Sequence, residues 1–177
     1  MELHQIQLTY QPEEDRVLWR TSFRADDGSL QEIRAWLTRR MTGQLWGGLV
    51  EVMERQVALD KPHAAHARSD IVGMEHHASV DAMRESGSFG SAFQEDVAGF
   101  PLGAAPFLVT TVNFGQEAGK PIRMNLVPTE GHGFEVALPA QVLHGFCSLL
   151  RDAVAKADWD LELELPGASA PGGGVLN

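Results

Sequence analysis

A single cysteine, Cys147, stands among the 177 residues, so no internal disulfide can form and a reducing compartment, the cytoplasm, is the expected location. Basic residues are scarce as well. Fourteen Lys and Arg against 24 Asp and Glu leave a net charge of −10, which argues against a general nucleic-acid binder, whose affinity comes largely from neutralising phosphates. No apolar run approaches the roughly 20 residues that span a bilayer. The start, MELHQIQLTY, alternates and carries Glu2, unlike the basic and then apolar start of a secretion signal. Several catalytic signatures are missing too. GxxxxGK[ST], GxSxG and HExxH do not occur, and the glycine-rich stretch 87–103 holds no basic residue to meet a phosphate.

What the chain does have is alternation. Residues 3–11 place Ile6, Leu8 and Tyr10 on one face and Gln5, Gln7 and Thr9 on the other, the pattern of a half-buried strand. Residues 16–24 repeat it, with Val17, Trp19, Thr21 and Phe23 inward and Arg16, Arg20 and Arg24 outward. Asp26-Asp27-Gly28 predicts the hairpin turn into a third strand over 31–37. Thr38 then reads as a helix N-cap, followed by Met41, Leu45, Leu49, Val52 and Met53 at helical spacing. Gly47-Gly48 within this helix points to close packing on a sheet.

The second half has the same grammar. Strands are expected over 108–114, around Ile122, Met124 and Leu126, and over 134–138, with Pro139 at the first position of the closing helix. A shift of 101 residues lays Ile33, Ala35 and Leu37 on Phe134, Val136 and Leu138, and Leu45, Leu49 and Met53 on Phe146, Leu150 and Val154. The sequence therefore predicts an α+β domain over 1–165, with antiparallel sheets from two β-β-β-α halves packed around one core and helices covering the sheets. The halves are 3–56 and 106–165, joined by a mobile His- and Gly-rich insertion, 57–105, with one short helix over 69–84 carrying Ile71, Met74, Ala78 and Met83 as its apolar stripe. The second half ends in a strand over 158–165, whose acidic face (Asp158, Asp160, Glu162, Glu164) is expected to pair with the Arg16, Arg20, Arg24 stripe or to meet a basic partner. Residues 166–177 have no core-forming pattern and read as a disordered tail.

One constellation has the chemistry of a metal site: His63, His66, Glu75, His76 and His77, whose imidazoles and carboxylate suit zinc, nickel or copper. Against it, the adjacent His76 and His77 diverge on a helix, and surface histidines in a polar loop are the simpler explanation. Cys147 and His144, three apart on the last helix, have the residue types of a thiolate–imidazole pair, yet Cys147 neighbours the apolar stripe and reads as a small hydrophobe.

The duplicated order, with LWGGLVEVMERQVALDKPHAAHARSDI after the first unit and LPAQVLHGFCSLLRDAVAKADWDLELELP closing the second, resembles that of small proteobacterial proteins of unknown function over most of residues 3–165. The resemblance implies no activity and no site residues. In element order alone the chain is also similar to the β-sandwich head domains of eukaryotic end-joining scaffold proteins, without their long coiled coil. The expected function is non-enzymatic: an interaction or scaffold protein that self-associates as a dimer, because Phe89, Phe93, Phe100 and Phe107 need cover. Two other readings compete with it. One is a metal-binding protein or metal-dependent enzyme built on the 63–77 cluster. The other is a single-stranded nucleic-acid binder using Arg16, Arg20, Arg24, Arg34, Arg39 and Arg40 with Trp19 and Trp36.

Overall fold

The computed structural model describes residues 2–167. Its first half is an antiparallel meander of β1 (Glu2–Gln11), β2 (Arg16–Arg24) and β3 (Leu30–Leu37), followed by helix α1 (Arg39–Asp60). The Asp27 carboxylate accepts from both the N–H and the hydroxyl of Ser29, and Gly28 takes a φ of +83°, so the β2–β3 turn forms as its sequence predicts. Thr38 caps α1 as expected, its hydroxyl accepting from the Met41 N–H at 3.2 Å.

The second meander consists of β5 (Thr111–Gly115), β6 (Ile122–Val127) and β7 (Phe134–Leu138), and helix α3 (Ala140–Ala155) follows it. Pro139 is the N-cap of α3 and not its first residue, with ψ at 152° still extended. A short β4 (Phe107–Leu108) lies parallel to β3. One residue later the chain changes sheets: the Val109 N–H donates to the Trp36 carbonyl in the first sheet, and the Thr110 N–H to the Val127 carbonyl in the second. The α+β architecture is therefore two three-stranded meanders, each with its helix, stitched together by one strand.

The helices cross between the halves. α3 packs on β1 of the first sheet, and α1 on β5 of the second. Each half therefore covers apolar surface that the other exposes. The residues aligned by the 101-residue shift (Ile33, Ala35, Leu37, Leu45, Leu49 and Met53 with their counterparts) are all buried in one core. Trp19 meets Phe146 with ring centres 4.6 Å apart, and Phe23 meets Phe134 at 5.4 Å, so aromatic contacts join strand to helix and sheet to sheet. Gly48 supplies the expected close approach, since a Cβ there would lie 2.6 Å from the Phe114 ring, whereas Gly47 faces open space.

Residues 57–105 carry more regular structure than one short helix. α1 runs on to Asp60, a 3-10 turn covers Pro62–Ala67, and helix α2 (Arg68–Glu85) follows. The apolar stripe expected on this helix is misplaced: Met74 is 71% exposed, and Val72, Gly73, His76 and Val80 form the buried face. Residues 92–104 then cross the polar face of the first sheet, with the Ala98 N–H donating to Leu30 and the Glu32 N–H to Gly99.

That crossing is held by Arg20. Its guanidinium donates to both oxygens of Glu32 (2.6 and 3.1 Å) and to both oxygens of Glu95 (2.8 and 2.7 Å), and Phe93 lies across its face. Arg34, directly opposite Arg20 in the β2–β3 register, shares the Glu32 carboxylate and stacks on Phe100. Glu32 is fully buried. Burial works against its charge, but Arg20 and Arg34 outweigh that and hold its carboxyl below the ordinary range. The arginine stripe is thus answered from within the first sheet and its crossing segment, not by the acidic residues of 158–165. No helix among the described residues is long and apolar enough to cross a membrane.

Candidate binding groove between α2, α3 and the C-terminal segment

The predicted last strand is the largest departure from expectation, and it builds the candidate site. Burial alternates along 158–165 as the sequence requires, with Trp159, Leu163 and Leu165 inside and the four acidic residues outside. Yet the segment joins no sheet. Asp158 and Asp160 take left-handed φ values of 50° and 53°, a conformation Asp tolerates, and two such residues break the straight line a ladder needs. Among the described residues, no backbone–backbone hydrogen bond involves residues 159–165.

The segment is held by side chains. The Trp159 indole donates to Asp15 Oδ1 at 2.6 Å, and the Tyr10 hydroxyl donates to the same oxygen at 2.9 Å. These two bonds, Trp159 first, keep the Asp15 carboxyl below its ordinary range. Further along, the Trp46 indole donates to the Glu164 carbonyl at 3.0 Å. Gly73 of α2 then admits the chain: a Cβ there would lie 2.9 Å from the Gly167 carbonyl carbon. Of the tail expected over 166–177, residues 168–177 lie outside the described residues, and Pro166 and Gly167 turn against α2.

Between this segment, α2 and α3 runs a groove of about 750 Å³. Asp81, Asp152, Asp158, Asp160, Glu162 and Glu164 line it, with Arg84, Arg151, His76 and His77. Asp81 lies 3.7 Å from Arg84, and the other five carboxylates have no ion-pair partner among the described residues. The groove is therefore acidic, and one of its walls is a chain without ladder partners.

The predicted metal ligands do not converge. His63 and His66 are exposed on the 3-10 turn, and Glu75 accepts from Lys61 Nζ at 2.6 Å. His77 is exposed, with its Nδ1 donating to the Gly73 carbonyl at 2.8 Å. Among the described residues, no three His, Cys, Asp or Glu side chains are placed to hold one ion. His76 turns inward instead, to a partner the sequence did not suggest: His144 of α3, with ring centres 5.5 Å apart. Burial keeps both imidazoles below their ordinary pKa, His76 at about 4, with His144 and Arg151 the next causes there. The available signal for His144 was a single histidine set in the apolar run from Leu143 to Cys147. Cys147 is fully buried, and desolvation pushes its thiol up to about 12, so it packs as a hydrophobe.

Several of the nucleic-acid candidates are already engaged within the fold. Arg20 is buried and fully engaged, Trp19 is buried in the core, and Arg16 pairs with Glu14. No family model, no curated protein and no solved structure matches the chain.

Proposed function

We propose that this protein is a non-enzymatic interaction protein whose groove takes a basic, extended segment of a partner protein. The observation that carries this reading is segment 159–165. It is held by indole hydrogen bonds on its inner side, joins no ladder, and presents carboxylates at alternate positions. Beyond the two left-handed residues, an extended segment with Lys or Arg at every second residue matches Glu162 and Glu164, and addition of a strand along 161–165 gives main-chain hydrogen bonds as well as charge pairing. The net charge of −10 favours encounter with such a partner at low salt.

Self-association, the other expected partner mode, has less support. Phe93 and Phe100 stack on Arg20 and Arg34, and Phe107 packs against the core, so these rings find cover within the chain. Two acidic segments would also repel each other, so a dimer would have to use another face. A cytoplasmic location, expected from the lone cysteine, belongs with this reading.

Fluorescence anisotropy with a labelled ten-residue peptide of alternating Lys and Val tests it. Saturable one-to-one binding is expected, weakening steeply with salt and lost in the variant Asp158→Asn/Asp160→Asn/Glu162→Gln/Glu164→Gln. Asn is chosen because it also tolerates the left-handed backbone. Equal binding by that variant, or no saturable binding, would refute the proposal.

A further inference from the structure

A second cavity, of about 550 Å³, shares no lining residue with the acidic groove. One face of α3 forms its floor, where Val142, Gly145, Phe146 and Leu149 recur at i, i+3, i+4 and i+7. β1 forms a wall. Side chains of a strand alternate between two faces, so a lining that takes in every residue from Leu3 to Leu8 places the edge of β1, and not one face, against the cavity. This is the outer edge of the first sheet. Among the described residues, the main chain over 3–8 pairs with β2 alone, which leaves N–H and C=O groups without a main-chain partner on that edge. Met83 of α2 closes over the floor: a Cβ on Gly145 would lie 2.6 Å from its sulfur, so glycine at that position admits the thioether.

A strap, residues 88–95, covers the remaining side with Phe89 and Phe93. The Gln5 amide donates to the Ala92 carbonyl at 3.0 Å, the Gln94 N–H donates to the Gln5 side-chain oxygen at 2.9 Å, and Arg20 holds Glu95 beyond them. We propose that this cavity binds an uncharged, largely apolar small molecule that carries a hydroxyl or carbonyl group. The neutrality of the ligand follows from the lining. Asp, Glu, Lys and Arg make up 21% of the chain, yet among the described residues none of them lines the cavity, and His4 is taken up by Gln94 at 3.0 Å. A charged ligand would lose its hydration there without gaining a counter-ion. Its apolar body follows from Leu3, Ile6, Val142 and Leu149, which pack on the core but stay only partly buried, so an occupant removes from water apolar surface that the fold leaves wet. Its polar group follows from the free edge of β1, which both donates and accepts. Its size follows from the volume, within the range of about 300–1,000 Å³ that small-molecule sites occupy. A macromolecular segment would also have to break the anchors of the strap at Gln5 and Arg20.

The test is a titration of the full chain with N-phenyl-1-naphthylamine, an uncharged apolar fluorophore, beside its sulfonated analogue. The neutral probe should bind one-to-one with a saturable rise in emission and be displaced by decanol, and the sulfonate should bind about tenfold or more weakly. Val142→Asp places a charge in the cavity from a partly buried position and should weaken the neutral probe by about tenfold or more. Leu59→Asp, at an exposed residue of α1 outside the cavity, should leave it unchanged. Should Val142→Asp fail to fold, the methyl resonances of the unaltered protein decide the matter: the neutral probe must move those of Val142 and Leu149 and leave those of Leu59 in place. Absence of saturable binding, failure of decanol to displace the probe, equal binding of the sulfonate, equal binding by folded Val142→Asp, or unmoved Val142 and Leu149 methyls would each overturn the proposal. So would binding that falls as the protein is concentrated while its mass doubles in light scattering, since a second copy would then be the occupant.

Discussion

The indole N–H of Trp159 donates to the carboxylate of Asp15 at 2.6 Å, tying the chain that leaves α3 to the turn between β1 and β2. Tyr10 donates to the same oxygen and stands edge-on to the Trp159 ring, so three residues fix where the acidic segment begins. Trp159→Phe keeps the buried ring and removes the donor. The expected outcome is a lower urea midpoint, from loss of one hydrogen bond to a carboxylate, with weaker binding of the Lys–Val peptide.

Arg20 and Glu32 form the buried ion pair of the first sheet. Removing Arg20 leaves the buried Glu32 carboxylate with Arg34 as its remaining partner, so Arg20→Met should destabilise the fold by somewhat less than the roughly 3–5 kcal/mol of a fully orphaned buried charge. Glu95, whose side chain is 70% exposed, is the control: Glu95→Gln should cost far less than Arg20→Met, because an exposed pair is screened. Thermal melts of the two variants in parallel separate these outcomes.

Gly47 and Gly48 are adjacent but not equivalent. Gly48→Ala drives a methyl to 2.6 Å from the Phe114 ring and should destabilise by about 1–3 kcal/mol, whereas Gly47→Ala meets nothing within 4 Å and should stabilise by roughly 0.5–1 kcal/mol. Opposite signs in chemical denaturation are the expected result.

His76 makes stability depend on pH. Its pKa is about 4 in the fold against the ordinary 6.5 of an unfolded chain, so between these values the unfolded state binds more protons and folding weakens as pH falls. The contribution is fully present above 6.5, is lost progressively toward 4, and is on the order of 3 kcal/mol. The His144 shift has the same sign. In His76→Phe the slope of stability against pH in that window should flatten, as read by urea midpoints at successive pH values.

Much of the fold was legible because period-2 and helical patterns were clean: Ile33, Ala35, Leu37 and Phe134, Val136, Leu138 point inward as their alternation requires. α2 was harder. Its buried face includes Gly73 and His76, which no hydropathy pattern counts as core, and Met74 lies outside because α2 packs against α3 and α1 through another face. The acidic segment kept its alternation and lost its ladder, since backbone conformation at Asp158 and Asp160 is invisible to a side-chain pattern. The His76–His144 pair joins residues 68 apart in the chain, a distance that spacing rules do not reach.

Amide hydrogen exchange at residues 161–165, with and without the Lys–Val peptide, tests the central claim most directly. These amides are predicted to exchange freely in the isolated protein and to become protected when the peptide is bound, as main-chain pairing requires. Protection that is already present without peptide, or exchange that stays unchanged at saturation, would contradict the claim that this segment is the docking strand.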